Sequence, residues 1–215
     1  MAQKRIMIFI EGEGGGGKPA ARKYNDGEFR KSWKLFLQPL ADLAQQKGIA
    51  FFQCIPGRGG MSTADTFANP MPKDKGALRI LIVDSEAPIN ELGKPWNELK
   101  KPPPVWADDG SCYLMVQCLE TWLLADVGSL VAYYSKHGRC FNENKMKAWN
   151  DLEAMPRKML QEALEQATVR CPRPYAHADG NMLIAVVERD KLKNLPSVAR
   201  LFRGLEEKIN EYANM

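Results

Sequence analysis

Acidic residues follow two short apolar runs of this chain, at the places where those runs stop. Glu11 follows the run Arg5 to Ile10 (RIMIFI), and Asp84 and Glu86 follow the run Leu78 to Val83 (LRILIV). Such runs are typical of strands that are buried on both faces of a parallel sheet. Because ligands of open α/β sheets bind beyond the carboxyl ends of the strands, we predict oxygen ligands for a divalent cation there. This stretch alone equally favours an alternative, in which Asp84 caps the next element and Glu86 is solvated.

A fourth acid, Glu120, lies in the apolar segment Cys112 to Asp126 (CYLMVQCLETWLLAD). The segment is compatible with a single helix, or with a strand from Tyr113 to Gln117 that runs into a helix from Leu119. We favour the strand, which would place Glu120 at the same edge of the sheet as the other acids. On a helix, Glu120 would have apolar neighbours one turn away in both directions and would need a cation or a hydrogen-bond donor.

Several carboxylates at one sheet edge repel one another unless cations neutralise them. Mg²⁺ or Mn²⁺ is the natural occupant of an all-oxygen site, with Glu11, Asp84, Glu86 and Glu120 as the candidate ligands. Such sites catalyse phosphoryl transfer, often with two ions about 3.5–4 Å apart. A carboxylate that is not fully used in coordination, such as Glu11, is a candidate general acid or base. Arg58 is a candidate for stabilising charge on the phosphate, although an ordinary surface arginine is an equally good interpretation.

The elements that position these residues follow the order strand, helix, strand, helix, strand. The spacing of apolar residues predicts a helix over Glu28 to Lys47, which Pro39 kinks or divides. Ile49 to Ile55 is the second strand, and a short helix is predicted from Ser62 to Phe67. This order is typical of βαβ units. The sequence therefore predicts an α/β fold with a parallel four-stranded sheet flanked by helices.

The remainder of the chain is predicted to be mainly helical, with apolar stripes over Pro156 to Thr168 and Ser197 to Tyr212. We predict an α/β domain over residues 1–135 and a helical C-terminal extension over 136–215 that packs on it. A single continuous domain is the alternative.

Composition limits the functional classes. The 215 residues carry a net charge of +4, which permits an anionic partner without requiring one. No run is apolar enough to span a membrane, and the N-terminal apolar run is too short for a signal peptide, so a cytoplasmic protein is expected.

The five cysteines form no CxxC pair, so reduced thiols are expected and a zinc site is not. Basic residues between Lys18 and Lys34 are candidates for contacts to a nucleic-acid backbone, although such residues more often solvate a helix face.

The glycine-rich stretch Gly12 to Lys18 matches the pattern G-x-x-x-x-G-K of phosphate-binding loops. That motif needs a Ser or Thr after the lysine, because the hydroxyl binds Mg²⁺, and this chain has Pro19 there. Glu13 would add negative charge to the phosphate cradle. A flexible glycine loop is the simpler interpretation, and a nucleotide hydrolase is the least favoured function.

The hhhhEG pattern on the first strand and the hhhhDxD/E pattern on the third resemble the Toprim domain of topoisomerases, DnaG-type primases and OLD-family nucleases. More closely, the chain resembles the family of domains of unknown function DUF4276. The pieces that carry this resemblance are IFIEG, EFRKSW, the loop from Cys54 to Thr63, LIVDSEAP, MVQCLETWLLAD, the pair Phe141-Asn142 and ARLFRGLE.

The resemblance implies a Toprim-like, Rossmann-like sheet with a helical C-terminal part and metal-dependent cleavage of phosphodiester bonds. The family's acids correspond to Glu11, Asp84, Glu86 and Glu120. It also implies an ABC/AAA-type ATPase partner encoded nearby, as in two-gene bacterial antiphage defence systems, and a toxin-like nuclease as the effector. The chain departs from the wider pattern at Glu86, where an Asp is usual, and in Tyr175 to Asn181, which lacks an expected lysine.

We therefore expect a Mg²⁺- or Mn²⁺-dependent nuclease acting on DNA or RNA. The main alternative is a non-catalytic subunit that retains the fold and docks an ATPase.

Overall fold

The structure is a computed structural model that describes residues 3–12, 26–57, 59–71, 74, 76–136, 138–146 and 149–215. Arg58 lies outside the described residues, and so does the predicted loop Gly12 to Lys18 apart from Gly12 itself. The basic residues of the segment 18–25 also lie outside them.

Four parallel strands form one sheet in the order β2-β1-β3-β4. They are β1 (Arg5–Ile10), β2 (Phe51–Pro56), β3 (Leu78–Asp84) and β4 (Cys112–Met115). The predicted α/β, Rossmann-like architecture with a helical C-terminal part is confirmed. The segment that contains Glu120 does form a strand followed by a helix, as favoured above. The strand ends before the predicted Gln117, whose φ of 66° is incompatible with extended backbone.

The helices of the described residues flank this sheet and make up most of the C-terminal part. They are α1 (Asp26–Phe36), α2 (Gln38–Gln46), α3 (Gly60–Ala68), α4 (Pro95–Glu98), α5 (Leu119–Leu124), α6 (Val127–Ser135), α7 (Arg157–Thr168), α8 (Gly180–Leu183), α9 (Arg189–Leu192) and α10 (Pro196–Asn214). The predicted division of the first helix at Pro39 is confirmed, because Pro39 lies in the first turn of α2, where its missing N–H breaks no hydrogen bond.

Alternate strand residues face opposite layers of the core, as a pleated sheet requires. Ile8 and Ile82 pack with helices α1, α2, α5 and α10 on one side of the sheet. Phe9 and Val83 pack with α3 and α4 on the other side. The first layer also includes buried residues from α7, so the core continues past residue 135.

The expectation that all cysteines are reduced was wrong for two of them. Cys140 and Cys171 form a disulfide, whereas reduced thiols were predicted throughout. The two are 31 positions apart in sequence, and no local motif signals the pairing; α7 and the turn after it bring Cys171 back to Cys140. Cys54, Cys112 and Cys118 are free and buried, as predicted. Among the described helices, none has the length and apolar character that crossing a membrane requires.

Candidate functional site

Glu11 lies directly beyond β1 and reaches the end of β3. Its backbone N–H donates to Ile82 O at 2.8 Å, and its Oε2 accepts a hydrogen bond from the Asp84 N–H at 2.9 Å. A Cβ added at Gly60 would lie 3.0 Å from that Oε2, so the start of α3 crowds this carboxylate closely enough to favour glycine. Burial raises the pKa of Glu11, although the hydrogen bond from the Asp84 N–H lowers it. Glu11 is therefore held at the sheet edge in an environment that disfavours its charge.

Asp84 is the last residue of β3 and is only 7% exposed. It does not cap a helix, because the next helix, α4, begins only at Pro95. Its Oδ1 is buried and has no hydrogen-bond partner among the described residues. The pKa of Asp84 is raised well above its usual value. Burial is the largest cause, and the negative charges of Glu11 and Glu120 follow. A bound cation would satisfy both the oxygen and the charge.

The backbone that follows β3 and β4 is held in an uncommon conformation. Glu86 and Gln117 have φ angles of 59° and 66°, a left-handed conformation that costs a non-glycine residue about 1–3 kcal/mol. The Glu86 N–H donates to Gln117 O at 3.1 Å, and the Gln117 N–H donates to Ser85 Oγ at 2.8 Å. These hydrogen bonds connect the segments that follow β3 and β4. The Glu86 side chain faces solvent in this conformation and is 68% exposed.

Glu120 is the second residue of α5, a helix whose six residues are all buried, and it is itself 0% exposed. Its Oε1 accepts hydrogen bonds from Tyr175 Oη at 2.7 Å, His177 Nδ1 at 2.7 Å and Gln161 Nε2 at 3.4 Å. Its Oε2 is buried and has no partner among the described residues. Glu120 thus has hydrogen-bond donors, one of the two kinds of partner expected for a carboxylate on an apolar helix face, while a cation at Oε2 stays a prediction.

These partners decide the charge state of Glu120. Burial alone would raise its pKa, but the hydrogen bond and charge of His177, and then the hydroxyl of Tyr175, lower the pKa to about 2. Burial and the adjacent Glu120 charge raise the pKa of Tyr175 well above its usual value, so its hydroxyl stays a donor. Because an ionised carboxylate only accepts, His177 Nδ1 carries the proton of this hydrogen bond. The His177 side chain is 42% exposed, so the ring connects a buried charge to the surface.

Arg157, the first residue of α7, is the cation of the site. Its Nη1 donates to Glu86 Oε1 at 3.3 Å. Although burial lowers the pKa of Arg157, the negative charges of Asp84, Glu120 and Glu86 raise it, so the guanidinium lies within electrostatic reach of these acids. The sequence analysis named Arg58 as the candidate for stabilising charge on the phosphate, and Arg58 lies outside the described residues. Arg157 carries the same positive charge.

The structure thus brings Glu11 into direct contact with Asp84 and places Glu86 and Glu120 close enough to act on the charge of Asp84. Within the described ranges, however, no three His, Cys, Asp or Glu side chains converge into a ready set of metal ligands. The four-carboxylate ligand set stays a prediction. The donor chemistry still fits Mg²⁺, which usually retains several waters and takes one or two carboxylates together with phosphates of the substrate.

Sequence reasoning missed the residues of this site that come from the C-terminal part: Arg157, Gln161, Tyr175 and His177. One signal was available, since Arg157 and Gln161 are four residues apart and so share a face of the predicted helix. Nothing in the spacing indicates that this face meets α5. The segment Tyr175 to Asn181, noted for its missing lysine, supplies a tyrosine and a histidine to Glu120 instead.

Comparisons with protein-family models, with curated proteins and with solved structures found no match for this chain. The resemblance to the DUF4276 family therefore stays a prediction.

Proposed function

We propose that this protein is a Mg²⁺- or Mn²⁺-dependent nuclease that hydrolyses phosphodiester bonds of DNA or RNA. One observation carries the proposal: Asp84 Oδ1, at the end of β3, and Glu120 Oε2, at the start of α5, are buried carboxylate oxygens, and neither has a hydrogen-bond partner among the described residues. A buried carboxylate oxygen without a donor costs about 1–3 kcal/mol or more, so such oxygens are retained where a ligand satisfies them.

Asp84, Glu11, Glu86 and Glu120 would hold the metal. When bound, Mg²⁺ or Mn²⁺ would lower the pKa of a coordinated water and stabilise the leaving oxygen of the phosphodiester. Glu11 lies beside Asp84, and burial raises its pKa, which is the direction that suits a general acid or base.

The Tyr175–Glu120–His177 network supports the same role. Tyr175 and Gln161 fix the Glu120 carboxylate, and Glu120 in turn fixes the tautomer and orientation of His177. His177 is thereby presented at the rim of the site, where its side chain is 42% exposed.

The test is cleavage of fluorogenic single-stranded and double-stranded DNA and RNA with Mg²⁺ or Mn²⁺. We expect activity that chelator abolishes and that Asp84→Asn lowers at least about a hundredfold. Asp126→Asn is the matched control, because Asp126 is also buried, caps α6, and within the described residues makes its hydrogen bonds with Ser129, Glu188 and Lys191 rather than with the site residues. Activity that is absent from the wild type with both metals, or equal in the two variants, would refute the proposal.

A second function is a non-catalytic subunit that docks an ATPase, which agrees with the finding that no three metal ligands converge among the described residues. The two functions differ in metal binding. Calorimetry with Mn²⁺ would show metal uptake that Asp84→Asn removes if the site is catalytic, and no such uptake if the protein only docks an ATPase.

An ABC/AAA-type ATPase partner and a role as an antiphage effector rest on the sequence resemblance alone. Co-purification with the product of a neighbouring ATPase gene tests them.

A further inference from the structure

Arg157 comes from a part of the chain that is distant in sequence from the acids. The site carboxylates lie at the ends of strands or in α5, whereas Arg157 begins α7, more than seventy positions after Asp84 in sequence. We infer that Arg157 is the phosphate-binding residue of this site and that it exchanges Glu86 for a phosphate of the substrate once a divalent cation occupies the acids. This inference rests on the proposed nuclease function and assigns the group that holds its substrate.

The contact that Arg157 makes now is a weak one. Its bond to Glu86 joins one guanidinium nitrogen to one carboxylate oxygen at 3.3 Å, and Glu86 is mostly exposed. Exposed ion pairs of this kind contribute little to stability. A hydrogen bond that contributes so little to the fold is readily exchanged for another partner.

The guanidinium also has unused capacity. It carries five N–H donors in a planar fork, and within the described residues it uses one nitrogen, in the bond to Glu86. Such a fork matches two oxygens of a phosphate, which makes arginine well suited to bidentate phosphate recognition. The side chain is 30% exposed, so a ligand can reach it from solvent.

Charge balance connects Arg157 to the metal. Among the described residues, Arg157 is a positive charge that partly offsets the negative charges of Asp84, Glu86 and Glu120. A divalent cation that binds the same carboxylates competes with Arg157 for Glu86. Once released from Glu86, the Arg157 guanidinium would be available to hold a phosphate at the same site as the cation.

This competition predicts opposite effects on two ligands. Replacing Arg157 with Ala removes a phosphate ligand, so binding of a fluorescein-labelled oligonucleotide in the presence of Ca²⁺ should weaken about tenfold to a hundredfold. The same replacement removes a competitor of the metal, so Mn²⁺ should bind as tightly as in the wild type or more tightly. Arg157→Lys should keep the Mn²⁺ affinity but restore oligonucleotide binding only in part, because an ammonium lacks the fork.

Lys158→Ala is the matched control. Lys158 is the next residue of α7, carries the same charge, and pairs with Glu162 at 3.7 Å on the exposed face of the helix. A general loss of positive charge would weaken oligonucleotide binding equally in Lys158→Ala and Arg157→Ala, and would overturn the inference. So would weaker Mn²⁺ binding in Arg157→Ala, since a residue that only supports the fold of the acids would weaken both ligands. Circular dichroism and thermal melting of each variant, with Arg157→Lys as the milder replacement, separate loss of binding from loss of folding.

Failure of the inference can be told apart from failure of the proposed function. If the wild type cleaves nucleic acid with Mn²⁺ and Arg157→Ala keeps the wild-type KM and kcat, the nuclease proposal stands and the role of Arg157 is refuted. If the wild type neither takes up Mn²⁺ nor cleaves, the proposed function itself fails, and the role of Arg157 in it fails as well.

Discussion

Replacing Asp84 with Asn should stabilise the metal-free protein, the opposite of what most substitutions of a buried residue do. The Asp84 carboxylate is buried, its Oδ1 has no partner among the described residues, and the charges of Glu11 and Glu120 act on it unfavourably. Asn has nearly the same shape, carries no charge and offers an N–H₂ group to the neighbouring carboxylates.

The size of the effect follows from the burial of this oxygen. Leaving a buried polar group unsatisfied costs about 1–3 kcal/mol, and more for a charged one, so Asp84→Asn should raise the free energy of unfolding by about 1–3 kcal/mol at pH 7 in chelator. In a chain of this length 1 kcal/mol changes Tm by roughly 2–4 °C, so we expect an increase of about 2–12 °C. Added Mn²⁺ should raise the Tm of the wild type and leave that of Asp84→Asn unchanged.

The assay is thermal melting of both proteins with and without Mn²⁺, with Asp126→Asn measured in parallel. Asp126 is equally buried, but its carboxylate accepts hydrogen bonds from the N–H groups of Ser129 and Glu188 and from Lys191 Nζ. The same chemical change should therefore destabilise the protein at Asp126, by about 1–3 kcal/mol. A lower Tm for Asp84→Asn in chelator, or a Mn²⁺ response that survives in it, would refute the reasoning.

Three further predictions concern the same region. Glu120→Gln should destabilise the protein by about 2–3 kcal/mol at pH 7 in urea titrations, because it removes the charged acceptor of Tyr175 and His177; an unchanged midpoint would contradict this. The stability gained by Asp84→Asn should shrink as the pH is lowered toward 3.8, because burial raises the Asp84 pKa above that value and protonation then stabilises the wild type; a gain independent of pH would contradict the direction of that pKa shift. Replacing Cys140 and Cys171 with Ser should cost about 3–4 kcal/mol, as closing a loop of 31 residues predicts, and should leave Mn²⁺ binding intact; equal stability of the two forms would argue against the disulfide.

The sheet and its acids were predictable because their signals are local. Each strand is a short apolar run, and the acids that follow β1 and β3 are adjacent to those runs in sequence. The parallel order then places Glu11 and Asp84 at one edge without further information. The strand that leads to Glu120 was predictable for the same reason, although its end was not, because Gln117 adopts a left-handed conformation that its residue type does not signal.

The other half of the site depends on contacts between distant parts of the chain. Tyr175 and His177 reach Glu120 from more than fifty positions away, and Arg157 reaches Glu86 across seventy-one. Hydrophobic periodicity predicted α7 itself, but it does not indicate which polar residues of α7 face α5. The Cys140–Cys171 disulfide was missed for the same reason, since the pairing depends on how the chain returns after α7.

A crystal soaked in Mn²⁺ and measured at a wavelength where manganese scatters anomalously tests the central claim most directly. We predict an anomalous peak about 2.1 Å from Asp84 Oδ1, on the side of Glu11 and Glu120, with Arg157 moved away from Glu86. An empty pocket at saturating Mn²⁺, with the Asp84 carboxylate bonded to a protein donor instead, would contradict the claim that these carboxylates form a cation site.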